Sequence, residues 1–244
     1  MLFAQLATFT VATLAGCTLA FGIRWLALKV GFVDHPDQGR KRQQSPVALG
    51  GGLAVLASAL LATAFGLTSL PSLSQISDGT WNAVGLLSAA ILMCVVGTFD
   101  DRKPILGKYK LLWQVAAASL VIGSGIVIEK VSIFGFTFKL ASLGLLLTMA
   151  WLLAAINSLN LIDGVDGLAA SVGVIFSGTL GAMALLHEHY FAATICLAIT
   201  GALVGFLPLN LPPAKMYLGD AGSMVLGLVL GTIALQCTFK EAAT

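Results

Sequence analysis

Eight apolar runs follow one another through the chain, at about residues 3–28, 47–68, 82–99, 111–128, 140–157, 168–186, 191–207 and 222–239. A bilayer core takes roughly 20 apolar residues per helix, and several of these runs contain Gly, which membrane helices tolerate. The pattern predicts an all-α integral membrane protein with about eight transmembrane helices, a single polytopic domain over 1–244. Composition agrees, with 58% of residues hydrophobic and 10% charged, against about 25% charged in soluble domains. No Lys or Arg precedes the first run, and no small-residue cleavage site in a polar flank follows it, so a retained helix is expected there and not a signal peptide. Cys17, Cys94, Cys196 and Cys237 all lie inside runs with no Cys-x-x-Cys among them. They read as small apolar residues.

Charge then orders the connections. The loop after run 1 and its flanks hold Arg24, Lys29, Arg40, Lys41 and Arg42, and the loop after run 3 holds Arg102, Lys103, Lys108 and Lys110. Taking alternate loops together, ten basic residues fall on one side and three on the other. Cytoplasmic loops carry the excess of Lys and Arg, so the N-terminus is expected outside. The same parity puts Asp34, Asp37, Asp100, Asp101, Asp163, Asp166 and Asp220 together on the cytoplasmic face, and Asp78, Glu129, Glu188 and Glu241 on the other. An ionisable residue at the edge of a span is costly to desolvate and points to function.

Clustered carboxylates suit a hard divalent cation, Mg²⁺ or Mn²⁺. Basic side chains beside them suit phosphate. Together they describe phosphoryl transfer, in which cations neutralise the transferring group and a carboxylate takes a proton or positions the nucleophile. Mg²⁺ uses one or two protein carboxylates, so seven acids imply several roles. Asn157 and Asn160 are three apart and share a face if the helix continues; Asp163 and Asp166 keep that spacing, but Gly164 and Gly167 are expected to end the helix. Gly219-Asp220-Ala221-Gly222-Ser223 opens the last run, and a helix N-terminus favours phosphate. Asp220 reads equally well there as an ordinary N-cap, and Asp100-Asp101 taken alone reads as a solvated helix end. His187 and His189 are two apart, do not share a helical face and fall on the outer side, so no metal site is expected there.

At these residues the chain resembles the polyprenyl-phosphate N-acetylhexosamine-1-phosphate transferases, glycosyltransferase family 4. Four blocks carry the resemblance: Asp34-His35-Pro36 with Arg40-Lys41-Arg42 and Gly50-Gly51-Gly52; Asp100-Asp101-Arg102 with Leu106 and Lys110-Leu111-Leu112-x-Gln114; Asn157-x-x-Asn160-x-x-Asp163-Gly164-x-Asp166-Gly167-Leu168; and Pro212-Pro213-Ala214-Lys215-x-x-Leu218-Gly219-Asp220-Ala221-Gly222-Ser223. The third and fourth are specific, and they look closer to the GlcNAc-1-phosphate branch than to the muramoyl-pentapeptide branch. The resemblance implies transfer of a HexNAc 1-phosphate from a UDP-sugar to undecaprenyl phosphate, with release of UMP, as the first step of a cell-envelope glycan. It implies Asp100 and Asp101 at the lipid phosphate and in catalysis. Asp220 with Asn160 would sit on Mg²⁺, with Mn²⁺ an alternative. Asp163, Asp166, Asn157 and Gly164 would lie at the nucleotide, and Arg40, Lys41, Arg42 and Lys110 at phosphates. It further implies the bacterial cytoplasmic membrane and is compatible with a homodimer; no nucleic-acid partner is expected.

Three features depart from that pattern. His35 stands where members carry Lys or Arg, Gln43 stands where they often carry His, and the chain ends at Thr244 where members continue through a His-x-His-His loop and further helices. Two other readings stand beside transfer. One is a relative without turnover, with a binding or assembly role. The other is an ion-coupled transporter, which predicts carboxylates near the middle of the runs and related halves.

Overall fold

The computed structural model describes residues 1–36, 45–68, 80–133 and 136–239. Within them the chain forms eight helices: α1 Leu2–Val30, α2 Gly51–Thr68, α3 Thr80–Arg102, α4 Gly107–Gly123, α5 Ser142–Ile162, α6 Leu168–Leu186, α7 Tyr190–Asn210 and α8 Gly219–Phe239. Seven are long and apolar enough to cross a membrane. The eighth expected span is α4, whose 17 residues reach about 25 Å at 1.5 Å per residue, the short limit for a crossing.

The helix ends differ from the apolar runs where polar residues continue a helix. α3 runs past its apolar stretch to include Asp100 and Asp101, α5 carries Asn157 and Asn160 to its last turns, and α8 begins before Asp220. The run 111–128 breaks because Gly125 has φ 97°. Ile126 and Ile128 are buried beyond that turn, and the Ile128 N–H donates to Thr148 Oγ1 at 2.9 Å. Two short antiparallel ladders were not foreseen from the apolar pattern. β1 (Val33–Asp34) pairs β2 (Val47–Ala48), and β3 (Lys130–Ile133) pairs β4 (Phe136–Lys139), with Lys130 opposite Lys139.

α7 and α8 form the centre, with 72% and 83% of their apolar windows buried against 22% for α1 and 17% for α5. α1 packs on α7 and α2, α6 on α7 and α8, and α3 and α5 both pack on α8, with α4 between them. In lipid, helices gain little from apolar burial against one another, so close approach of small residues carries the packing. A Cβ added at Gly97 of α3 would lie 2.4 Å from Ala221 Cα, and one at Gly227 of α8 would lie 2.6 Å from Ala155 O of α5. Outward faces are apolar and exposed, as at Phe3, Leu14 and Trp25 on α1 and Leu143 and Leu146 on α5. These two close crossings hold α3 and α5 against α8 and so bring their polar ends to its N-terminus.

Candidate active site

The α8 N-terminus is the point where described residues of all four sequence blocks meet. Lys215–Leu218 runs beside the start of α2: Met216 bridges Ala48, Tyr217 N–H donates to Ala48 O at 2.9 Å, and Gly51 and Gly52 N–H donate to Tyr217 O and Leu218 O at 3.1 and 2.8 Å. The first orphan amides of α2 are thus satisfied by carbonyls of the segment that leads into α8. Gly219 follows with φ 73°, and any side chain there would strike the Asp101 carboxylate. Glycine meets both demands, a left-handed backbone and a close approach.

Asp101 supplies the cap. Its Oδ1 accepts the Asp220 N–H at 2.7 Å and its Oδ2 accepts the Ala221 N–H at 3.4 Å. A carboxylate at a helix N-terminus satisfies free N–H groups and the positive end of the dipole. Asp220, read from sequence as a candidate cap, therefore has its side chain free for other work, because a residue of α3 caps α8 across the bundle. Asp101 thereby occupies two of the amides at this N-terminus.

Lys110, from the first turn of α4, sits between two acids. Its Nζ lies 2.8 Å from Asp100 Oδ2 and 2.7 Å from Asp220 Oδ2. Asp100 Oδ1 accepts the Ile105 N–H at 2.5 Å, from the turn joining α3 and α4. Asn160, near the end of α5, donates from Nδ2 to Asp220 Oδ1 and, at 3.0 Å, to Ser223 Oγ. Four helices thus each give one polar side chain to a single knot: Asp100, Lys110, Asn160 and Asp220.

Asp163 lies just past α5. Burial pushes its carboxyl from 3.8 up to about 8, the charges of Asp101 and Asp220 add to the rise, and the Gly219 N–H opposes it. Asp166 is a step further out, where its Oδ2 accepts the Ala214 N–H at 2.9 Å. Burial, Asp166 and Asp34 raise the Tyr217 hydroxyl above its ordinary value. Gly164 is exposed, with open space where a side chain would stand. Asn157 points instead to Gln114, one turn below the knot. Arg40, Lys41, Arg42 and Asp37 lie outside the described residues. Ser223 and Gln114 gained no role from sequence, although both stand inside the quoted blocks; a hydroxyl or amide has no charge to set it apart. Among the described residues no three or more His, Cys, Asp or Glu side chains gather as a metal cluster. A cation here would rest on few protein ligands and several waters, as Mg²⁺ does.

Fold and site define a multi-pass membrane protein with a cluster of charged and polar side chains at one end of its bundle. The family model described as glycosyl transferase family 4 matches residues 83–238, and the chain belongs to that family. It is 30% identical over 236 residues to the probable undecaprenyl-phosphate N-acetylglucosaminyl 1-phosphate transferase of Bacillus subtilis, covering 96% of this chain and 63% of that protein. It is 34% identical to the decaprenyl-phosphate N-acetylglucosaminephosphotransferase of Mycolicibacterium smegmatis, covering 86% and 54%. A phospho-N-acetylmuramoyl-pentapeptide-transferase of Streptococcus pyogenes is 30% identical, with 89% and 68% covered. The chain thus spans between about half and two thirds of these relatives' lengths.

Proposed function

We propose that the protein transfers a HexNAc 1-phosphate, GlcNAc 1-phosphate first among candidates, from a UDP-sugar to undecaprenyl phosphate. A phosphate oxygen of the lipid attacks the sugar-bearing phosphorus, a new P–O bond forms, the bond to the UMP oxygen breaks, and UMP leaves. The observation that supports this best is Lys110 held between Asp100 and Asp220 beside Asn160. Such a knot pairs a cation for phosphate with carboxylates for a proton and a metal.

Asp100 is the group to take a proton from the acceptor phosphate or to set its angle, and Lys110 the group to meet the transferring phosphate. Asp101 acts by holding α8 in place. Asp220 and Asn160 fit a hard divalent cation, since the carboxylate and the adjoining amide, once turned, offer two oxygens to one point. Mg²⁺, or Mn²⁺, bound there would draw negative charge off the donor diphosphate. Asp163 and Asp166 stand toward the nucleotide, with open space at Gly164 for close approach, and Arg40, Lys41 and Arg42 would add phosphate contacts. The excess of Lys and Arg favours a cytoplasmic position for the site end; the membrane would be a bacterial inner membrane, and the product would start a cell-envelope glycan.

The test is purified protein with undecaprenyl phosphate and a panel of radiolabelled UDP-sugars, with and without Mg²⁺. The expected result is one lipid-linked sugar phosphate formed per UMP released, lost in Asp220→Ala. No lipid-linked product with any sugar overturns the transferase reading, and sugar-nucleotide binding without product would favour a binding role.

A further inference from the structure

Beneath the knot, three of its four helices, α4, α5 and α8, form a second layer one turn deeper. Gln114 follows Lys110 by four residues on α4, Asn157 precedes Asn160 by three on α5, and Met224 follows Asp220 by four on α8. Each spacing puts both residues on one face of its helix. Gln114 Nε2 donates to Asn157 Oδ1 at 3.3 Å and reaches Met224 Sδ at 3.7 Å. Asn157 Nδ2 donates back to Gln114 Oε1 at 2.8 Å and to Leu153 O at 2.7 Å.

The two amides are unequally placed. Gln114 is 1% exposed, while Asn157 is exposed at the outer edge of the layer. The buried Gln114 oxygen therefore depends on Asn157 for its bond among the described residues, and a buried polar group left without one is costly. Both Asn157 amide hydrogens are already engaged. A closed amide pair tolerates little sliding of one helix past the other, and a turn of α5 that broke it would also carry Asn160 away from Asp220.

We infer that Gln114 and Asn157 are a positioning pair: their amide brace sets α4 and α5 in register on α8, so that Lys110 and Asn160 meet at Asp220. Asn157 acts through Gln114 and not as a ligand of the nucleotide. The activity readouts of this role rest on the transferase reading.

The experiment compares Gln114→Leu, Asn157→Leu, the double Leu variant, the singles Gln114→Asn and Asn157→Gln, and the exchanged pair carrying both of the last two. Turnover, KM for the UDP-sugar, the Mg²⁺ concentration for half-activation and the thermal midpoint in detergent are read for each. Partners that orient a site from behind typically carry about 10–100-fold in activity or metal affinity. Each Leu variant is expected to lose kcat on that scale and to need more Mg²⁺, with the donor KM nearly unchanged; the double should be no worse than either single. The exchanged pair, which restores an amide–amide contact, should recover most of what its two singles lose. A large rise in donor KM for Asn157→Leu that Gln114→Leu does not share would overturn the brace, as would an exchanged pair no better than its singles. If the wild type turns over no sugar, the transferase reading fails alone. The thermal midpoints then decide: non-additive losses in the double Leu variant uphold the brace, and additive losses reject it.

Discussion

Lys110 neutralises two carboxylates at once, so its loss should be felt at both. Removing one partner of a buried ion pair costs about 3–5 kcal/mol, and the low end applies here because the knot is part-open. Lys110→Met is expected to destabilise by about 3 kcal/mol and to abolish turnover. Adding Asp100→Asn should recover part of the stability and none of the activity, as thermal unfolding in detergent and the transfer assay would show. Asp163 offers a test by pH. Its folded carboxyl titrates at about 8 and its ordinary value is 3.8, so between those values the folded protein holds a proton that the unfolded chain gives up. Stability contributed by this group therefore falls as pH rises from about 4 to about 8 and is level above that. In Asp163→Asn the thermal midpoint should decline less over that window; an unchanged slope would place the rise elsewhere.

At the scale of elements, α8 owes its position to its neighbours. Asp101 caps it from α3, and a lost cap costs about 1 kcal/mol. Asp101→Ala should lower the thermal midpoint accordingly, and Asp101→Asn, which keeps an acceptor oxygen, should lower it less. Gly97 marks the crossing of α3 on α8, where a Cβ would lie 2.4 Å from the Ala221 backbone. Gly97→Ala is expected to force the helices apart, pulling Asp100 and Asp101 from α8, with loss of both stability and turnover. Gly22 on α1 has nothing within 4 Å of an added Cβ, so Gly22→Ala serves as the matched control and should leave both intact. Equal effects at the two glycines would refute the close crossing as the cause.

The whole molecule places its functional groups by alternation. Each helix crosses back, so the ends of α1, α3, α5 and α7 meet the starts of α2, α4, α6 and α8 at one end of the bundle. Lys103 stands at that end and Glu188, between α6 and α7, at the other. In a cysteine-free background, Lys103→Cys should be labelled by an impermeant thiol reagent only from the cytoplasmic side, and Glu188→Cys only from outside. The reverse result would turn the site to the outer face and defeat the proposed use of a cytoplasmic nucleotide sugar.

The sequence alone determined the class of fold and the end of the bundle at which the carboxylates meet. Apolar run length sets how far a helix reaches in lipid, and alternating connections then send Asp100, Asp101, Asp163, Asp166 and Asp220 to one end. The four motif blocks, by their order and spacing, were legible as one family's signature. What each residue does at that end was not legible. Asp220 read equally well as cap or metal ligand, Asp101 was paired with Asp100 as a catalytic carboxylate, and Gln114 stood inside a block without a role of its own. Periodicity fixes which face of its own helix a side chain occupies, but not how that helix is turned and slid against another. Only the crossings at Gly97 and Gly227 and the backbone contacts of Gly51 and Gly52 decided that. They put Asp101 on the amides of α8, Lys110 between Asp100 and Asp220, and Asn157 on Gln114, because close-packed backbones leave each helix one rotation and one height.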